Sequence, residues 1–181
     1  MFNSSTPNYA GFTNGAATVE DTQTGQIVAL MGSRDFNYEG FGQDNAATAY
    51  IQPGSTIKSL VYSQLFQQKP SGQQNYGSGS ILVDEPIDAI YGSKLNNADR
   101  TYKGAVTIRT SLATSRNVPA VKAMYINGVQ PTLDTIHKMG ATSYCTQGAD
   151  TQAGLASAIG GCGLKQVDLV NAYASLGRQG V

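Results

Sequence analysis

Residues 16–32 show a short alternation and then an unbroken apolar run, a pattern that reads as a β-hairpin. Ala17 and Val19 mark the first strand, and Ile27-Val28-Ala29-Leu30-Met31 the second. Asp21-Thr22-Gln23-Thr24-Gly25 is the turn, with Gly25 suited to positive φ. The continuous apolar character of the second strand predicts cover on both of its faces. Residues 33–51 are rich in Gly, Asn and Tyr and read as loop. After Gln52-Pro53-Gly54 the period changes: Ile57, Leu60, Val61 and Leu65 recur at spacings of three and four. That stripe predicts a helix from Ser55 to about Gln68. A polar Gly/Ser/Gln stretch over 69–80 reads as exposed loop. A short strand at Ile81-Leu82-Val83 follows, and then an irregular stretch, 84–103, full of turn formers.

Helical spacing resumes from Val106 through Ile108, Arg109 and Leu112, and is expected to stop near 114–117. Pro119 suits the first turn of a next helix over 120–127, with Gly128 as its stop. Pro131 and Gly140 bracket another short helix. Gly160-Gly161-Cys162-Gly163 reads as loop. A last helix is expected over 166–176, with Val167, Val170, Tyr173 and Ala174 inward. There is no internal repeat and no low-complexity segment.

Composition narrows the class. The 181 residues suffice for one domain with a core. Twelve basic residues balance twelve acidic ones, which leaves no electrostatic basis for nucleic acid or an anionic membrane surface. Charged residues are only 13% while amides and hydroxyls abound, a neutral surface of the kind common outside the cytoplasm. No apolar run reaches the about 20 residues of a membrane span. Residues 1–15 are polar, lack a signal-peptide core and read as a tag or linker. Cys145 and Cys162 match no zinc spacing; one disulfide and two buried thiols both fit.

The sharpest local feature is Gln52-Pro53-Gly54-Ser55-Thr56-Ile57-Lys58. A serine hydroxyl needs an adjacent base to become a nucleophile. Residues three apart on a helix lie one turn apart, so Ser55 is expected beside the Lys58 amine. A partly buried lysine has a lowered pKa and can take the serine proton. N–H groups at a helix start favour a developing oxyanion. The second feature is Ser115-Arg116-Asn117, in the break between two expected helices. The Ser115 hydroxyl can relay a proton from Lys58, and the Asn117 amide can bind both Lys58 and a substrate amide. Each motif alone is weak, since Ser and Asn are ordinary cap residues.

Together with their flanks the two motifs resemble the transpeptidase domain of class A penicillin-binding proteins. The Asp-x-x-Thr-Gly turn and Gly32-Ser33-Arg34-Asp35-Phe36 resemble the strand pair that precedes the acylation motif. Residues 102–109 and Leu112-Ala113-Thr114-Ser115-Arg116-Asn117-Val118-Pro119-Ala120-Val121 resemble the stretch that holds the second motif. Asp168-Leu169-Val170-Asn171-Ala172-Tyr173-Ala174 resembles the helix that follows. The likeness covers residues 16–181, read as the N-terminal portion of such a domain.

The resemblance implies an α/β fold of the penicillin-binding transpeptidase and β-lactamase type. On that resemblance an antiparallel sheet would be flanked by helices, a mainly helical subdomain would span 84–163, and the domain would be truncated. It implies a D,D-transpeptidase that cross-links peptidoglycan stem peptides ending in D-Ala-D-Ala and is acylated by β-lactams. Ser55 would be the nucleophile, Lys58 its base, Ser115 the proton relay and Asn117 the orienting amide. The place of work would be the extracytoplasmic face of the bacterial cytoplasmic membrane. No cofactor or metal is implied.

Two departures stand out. Ser59 occupies a position where the family usually has proline, and no Lys-Thr-Gly tripeptide occurs. The missing tripeptide makes a complementary C-terminal half of the domain an expected partner. A serine β-lactamase-like hydrolase is the alternative in chemistry, but no glutamate follows Glu85. A non-catalytic binding or scaffold module of the same fold is the alternative in class. His137 reads as a mid-helix surface or structural residue, and Asp84, Asp88 and Asp99 lack the spacing of a calcium loop.

Overall fold

A computed structural model describes residues 14–180. The expected linker, residues 1–15, lies outside the described residues apart from Asn14 and Gly15.

The hairpin forms as expected. β1 (Ala17–Glu20) and β2 (Ile27–Met31) pair antiparallel, Ala17 opposite Met31 and Glu20 opposite Ile27, with an irregularity at Val19/Glu20. Asp21 builds the turn: its Oδ1 accepts the N–H groups of Gln23 and Thr24 at 2.8 and 2.9 Å, and Gly25 takes φ +71°. Among the described residues, cover on both faces of β2 is not found. All five of its residues are exposed, Val28 by 62%. The last helix, α6 (Gln166–Gly177), packs against β1, where Thr18 Oγ1 donates to Gln166 Oε1 at 3.1 Å. Among the described residues, β1 is the strand that pairs with the apolar run of β2.

The core sits around α1 (Lys58–Leu65), which continues a 3-10 turn at Gly54–Ile57. The expected stripe is correct: Ile57, Leu60, Val61 and Leu65 are all 0% exposed. Burying each such side chain stabilises by about 1.5–3 kcal/mol. The helix ends at Leu65, three residues short of Gln68, as the chain tightens toward Pro70. Against α1 lies α4 (Asn117–Asn127), whose Val118, Ala120, Val121, Ala123 and Met124 are fully buried. It starts three residues earlier than expected, with Pro119 inside its first turn. α5 (Val129–Lys138) follows and also packs on α1.

Val106 corrects a helical expectation. It lies in β4 (Gly104–Thr107), which pairs antiparallel with β3 (Ile81–Asp84), Leu82 opposite Val106 and Asp84 opposite Gly104. The short helix α2 (Asp88–Tyr91) interrupts the irregular stretch between them. Helix α3 (Ile108–Ala113) begins after Thr107, whose Oγ1 accepts the N–H of Thr110 at 3.1 Å. Leu82 and Asp84 face inward while Ile81 and Val83 face out.

Two unexpected 3-10 turns, Gly148–Gln152 and Leu155–Ile159, precede the glycine loop. Cys145 and Cys162 are joined in a disulfide, which settles the open pair of readings. The inward residues of α6 are Ala172, Ala174 and Ser175; Tyr173 is instead 40% exposed. Its hydroxyl reaches sideways to the carbonyl of Thr56 at 2.6 Å. His137 lies in the last turn of α5, not mid-helix, with Nε2 2.7 Å from the Tyr144 carbonyl oxygen. Among the described residues no helix is long and apolar enough to cross a membrane.

Candidate active site

Ser55 sits in the 3-10 turn that leads into α1, exposed to solvent. Its seat is made by distant residues. Gly160 lies flush against Gly54, and a Cβ at Gly160 would collide with the Gly54 backbone. Ile51 and Leu164 exchange backbone hydrogen bonds at 3.2 and 3.0 Å, and Gln52 Nε2 donates to the Gly161 carbonyl at 2.9 Å. The disulfide fixes Cys162 in the middle of this strap. Tyr173 holds the turn from α6, contacting the Thr56 carbonyl and the Ser59 hydroxyl at 3.2 Å. Ser59 stands inside α1 without a break in the helix.

Lys58 opens α1 with only 1% exposure, its stem among the apolar residues of the core. Its amine reaches 57 to 59 residues along the chain, to the second motif. Nζ lies 2.7 Å from Asn117 Oδ1, 2.7 Å from the Ser115 carbonyl oxygen and 3.2 Å from Ser115 Oγ. Burial lowers its pKa to about 8. Among the described residues, the hydrogen bonds of the Lys58 amine do not include the Ser55 hydroxyl. The two residues are linked through the backbone, Lys58 N–H to the Ser55 carbonyl, while the amine's hydrogen-bonding positions are taken by Ser115 and Asn117.

Those partners define what the amine can do. The Ser115 carbonyl and Asn117 Oδ1 only accept, so each requires an N–H. When Lys58 is neutral, these two bonds use both of its protons. The lone pair is then left for a hydroxyl, and that of Ser115 lies 3.2 Å away.

Ser115 is held in an unusual conformation. It takes φ +53°, directly after the C-cap of α3. Its N–H bonds the Leu112 carbonyl at 3.0 Å, and the next N–H, of Arg116, bonds the Ser111 carbonyl at 2.9 Å. This is a Schellman termination, in which the left-handed position is normally glycine. A serine there bears a strain of about 1 kcal/mol or more, and its hydroxyl points to the lysine.

Arg116, between the two motif residues, was not singled out from sequence. It is 5% exposed and ion-paired to fully buried Asp84 at 2.8 Å and to Asp99 at 2.8 Å. Its Nη2 also donates to the Thr101 carbonyl. The Thr101 N–H and the Arg116 guanidinium hold the Asp99 carboxyl well below the usual carboxylate range. Asn97 completes the cluster, with Nδ2 on Asp84 Oδ1 at 2.8 Å. The only sequence signal for these groups was that Asp84 and Asp99 are acidic residues in an otherwise irregular stretch. Among the described residues no cluster of His, Cys, Asp and Glu is placed to hold a metal.

A cavity of about 470 Å³ opens beside Ser115, walled by Asp99, Lys103, Val106, Thr110 and Thr114. A second, of about 480 Å³, is walled by Ile51, Pro53, Thr56 and Leu169. None of Ser55, Lys58, Ser115 and Asn117 lines the second one, whereas Ser115 lines the first.

An exposed serine one turn before a buried lysine that grips a Ser-x-Asn segment is the pattern of penicillin-recognising serine enzymes. The chain belongs to that group: it matches the family described as "Penicillin binding protein transpeptidase domain" over residues 15–181. Among curated relatives it is 29% identical over 175 residues to Penicillin-binding protein 1A/1B of Bacillus subtilis, covering 94% of this chain and 18% of the relative. It is 32% identical over 183 residues to Penicillin-binding protein 4 of the same organism, covering 99% and 27%. The chain spans about a fifth of the length of the first relatives it matches.

Solved structures share the fold. Penicillin-binding protein 1A from Haemophilus influenzae superposes with a TM-score of 0.72 at 24% identity, over 90% of this chain and 23% of that one. PonA1 from Mycobacterium tuberculosis in complex with penicillin V gives 0.73 at 24% identity, over 90% and 43%. The fold is therefore the α/β fold of penicillin-binding transpeptidase domains, as the resemblance implied.

Proposed function

We propose that this chain carries the acylation machinery of a serine D,D-transpeptidase acting on stem peptides that end in D-Ala-D-Ala. The observation behind the reading is the buried Lys58 amine, gripped by Ser115 and Asn117 one turn from the exposed Ser55. Ser55 Oγ attacks the carbonyl of the penultimate D-Ala and forms the C–O bond. Its proton passes to the lone pair of neutral Lys58. The C–N bond then breaks, and the proton travels from Lys58 through the Ser115 hydroxyl to the leaving amine of the terminal D-Ala. An amine from a second stem peptide attacks the ester, restores Ser55 and completes the cross-link. In a β-lactam the broken C–N bond belongs to the ring, so the leaving amine stays attached and the ester persists.

The cavity beside Ser115 is where we place the leaving group and the incoming amine, because the relay residue is part of its wall. A segment bearing the Lys-Thr-Gly motif would complete the carboxylate site of the substrate. The site of work would be the extracytoplasmic face of the cytoplasmic membrane, where stem peptides are found.

The test is D-Ala release from a synthetic stem pentapeptide with an amine acceptor present. The reading expects release and acceptor incorporation that both vanish in Ser55→Ala. Release without incorporation favours a hydrolase, and release that survives Ser55→Ala contradicts the reading.

A further inference from the structure

Asn97 lies in neither motif. It precedes Asn117 by 20 residues and is 4% exposed. Its side-chain amide is fully used. Oδ1 accepts the backbone N–H of Asn117 at 2.7 Å and that of Val118 at 3.3 Å. Nδ2 donates to Asp84 Oδ1 at 2.8 Å and to the Thr101 carbonyl at 2.9 Å. A helix start leaves its first N–H groups free, and in α4 the preceding residue, Arg116, supplies no side-chain cap. Asn97 supplies that cap from outside the helix.

The neighbouring residue acts on the same side chain. The Asn96 carbonyl accepts from Asn117 Nδ2 at 2.9 Å. A carbonyl cannot donate, so the amide nitrogen of Asn117 must face Asn96 and its oxygen must face Lys58. The backbone of Asn117 is fixed by one side chain and its amide orientation by the adjoining carbonyl.

We propose that Asn97 is a positioning residue for acyl transfer, holding Asn117 so that its Oδ1 faces the Lys58 amine. This rests on the reading that Lys58 and Asn117 serve acylation. The residue type follows from the contacts. Aspartate would cap α4 equally well but has no N–H for Asp84 or Thr101, and would set one carboxylate against another. Serine caps too, but lacks the second arm that reaches Asp84.

The test uses the full chain labelled at asparagine, as wild type, Asn97→Ala and Asn97→Ser. Proton–nitrogen correlation spectra follow the side-chain amide of Asn117. The two amide protons are expected to be well separated in the wild type. In both variants they should converge toward solvent-exposed values and exchange faster. Benzylpenicillin acylation should fall about 100-fold, the effect of a misplaced group of about 1 Å. The loss should lie in the saturating rate, with the half-saturating concentration little changed. Asn97→Ser keeps a cap acceptor and sets no second carboxylate against Asp84, and so serves as the folded variant should Asn97→Ala fail to fold. Unchanged Asn117 amide signals, or a loss confined to binding, would overturn the proposal. A wild type that is never acylated would sink the functional reading, while the spectra would still decide whether Asn97 positions Asn117.

Discussion

Lys58 Nζ lies 2.7 Å from Oδ1 of Asn117, 59 residues further along the chain. The contact joins the first turn of α1 to the first turn of α4, the two helices that form the centre of the core. The packing that stabilises the domain therefore also assembles the base with its partners.

The first prediction concerns pH. With Lys58 at about 8, its neutral fraction rises through that value, and the acylation rate should rise with it. Rates measured from pH 6 to pH 10 check this, and a flat profile contradicts it. The same group sets a stability trend. Its folded pKa lies below the unfolded value, so the unfolded state binds more protons between about 8 and 10.5. Stability should thus increase with pH across that window, and the increase should vanish in Lys58→Met.

Ser115→Gly should separate stability from activity. Glycine suits φ +53° and should raise stability by up to about 1 kcal/mol. Losing the hydroxyl 3.2 Å from Lys58 should lower acylation by about 100-fold. Thermal melting and acylation rates together check the pair of effects; a lower melting point contradicts the strain argument.

Asp84→Asn should destabilise strongly. It removes the fully buried partner of Arg116, itself 5% exposed, and breaking such a pair costs about 3–5 kcal/mol. Urea denaturation measures this. Arg116→Met on the Asp84→Leu background should recover much of the loss, because no buried charge is then left alone.

Reduction of the Cys145–Cys162 disulfide, which spans 17 residues, should lower stability by about 3 kcal/mol. Because Cys162 lies between Gly161 and Leu164, the loosened segment includes the strap that seats Ser55. Amide exchange at Ile51 and Leu164 should quicken on reduction, while Leu60 and Val61 in α1 stay protected. Equal exchange in both redox states would contradict this coupling.

Much of this arrangement was readable from local spacing. The hairpin follows from alternation and the Asp21 turn, and α1 from its apolar stripe. Ser55, Lys58, Ser115 and Asn117 were singled out by type and spacing, and the structure brings Lys58, Ser115 and Asn117 into contact. What could not be read depends on pairing across the chain. Val106 has helical spacing to its neighbours, yet its pairing with Leu82 makes it strand. Asn97 caps a helix 20 residues away, and Arg116 finds Asp84 32 residues back. Spacing puts Ser55 one turn from Lys58, and the acceptors that satisfy the buried amine come from the second motif, Ser115 and Asn117.

The most direct test of the central claim is intact mass after incubation with benzylpenicillin, on wild type and Ser55→Ala. The account predicts a single covalent adduct on the wild type, located to Ser55 by peptide mapping, and none on the variant. An adduct on Ser55→Ala, or no adduct on well-folded wild type, would contradict it.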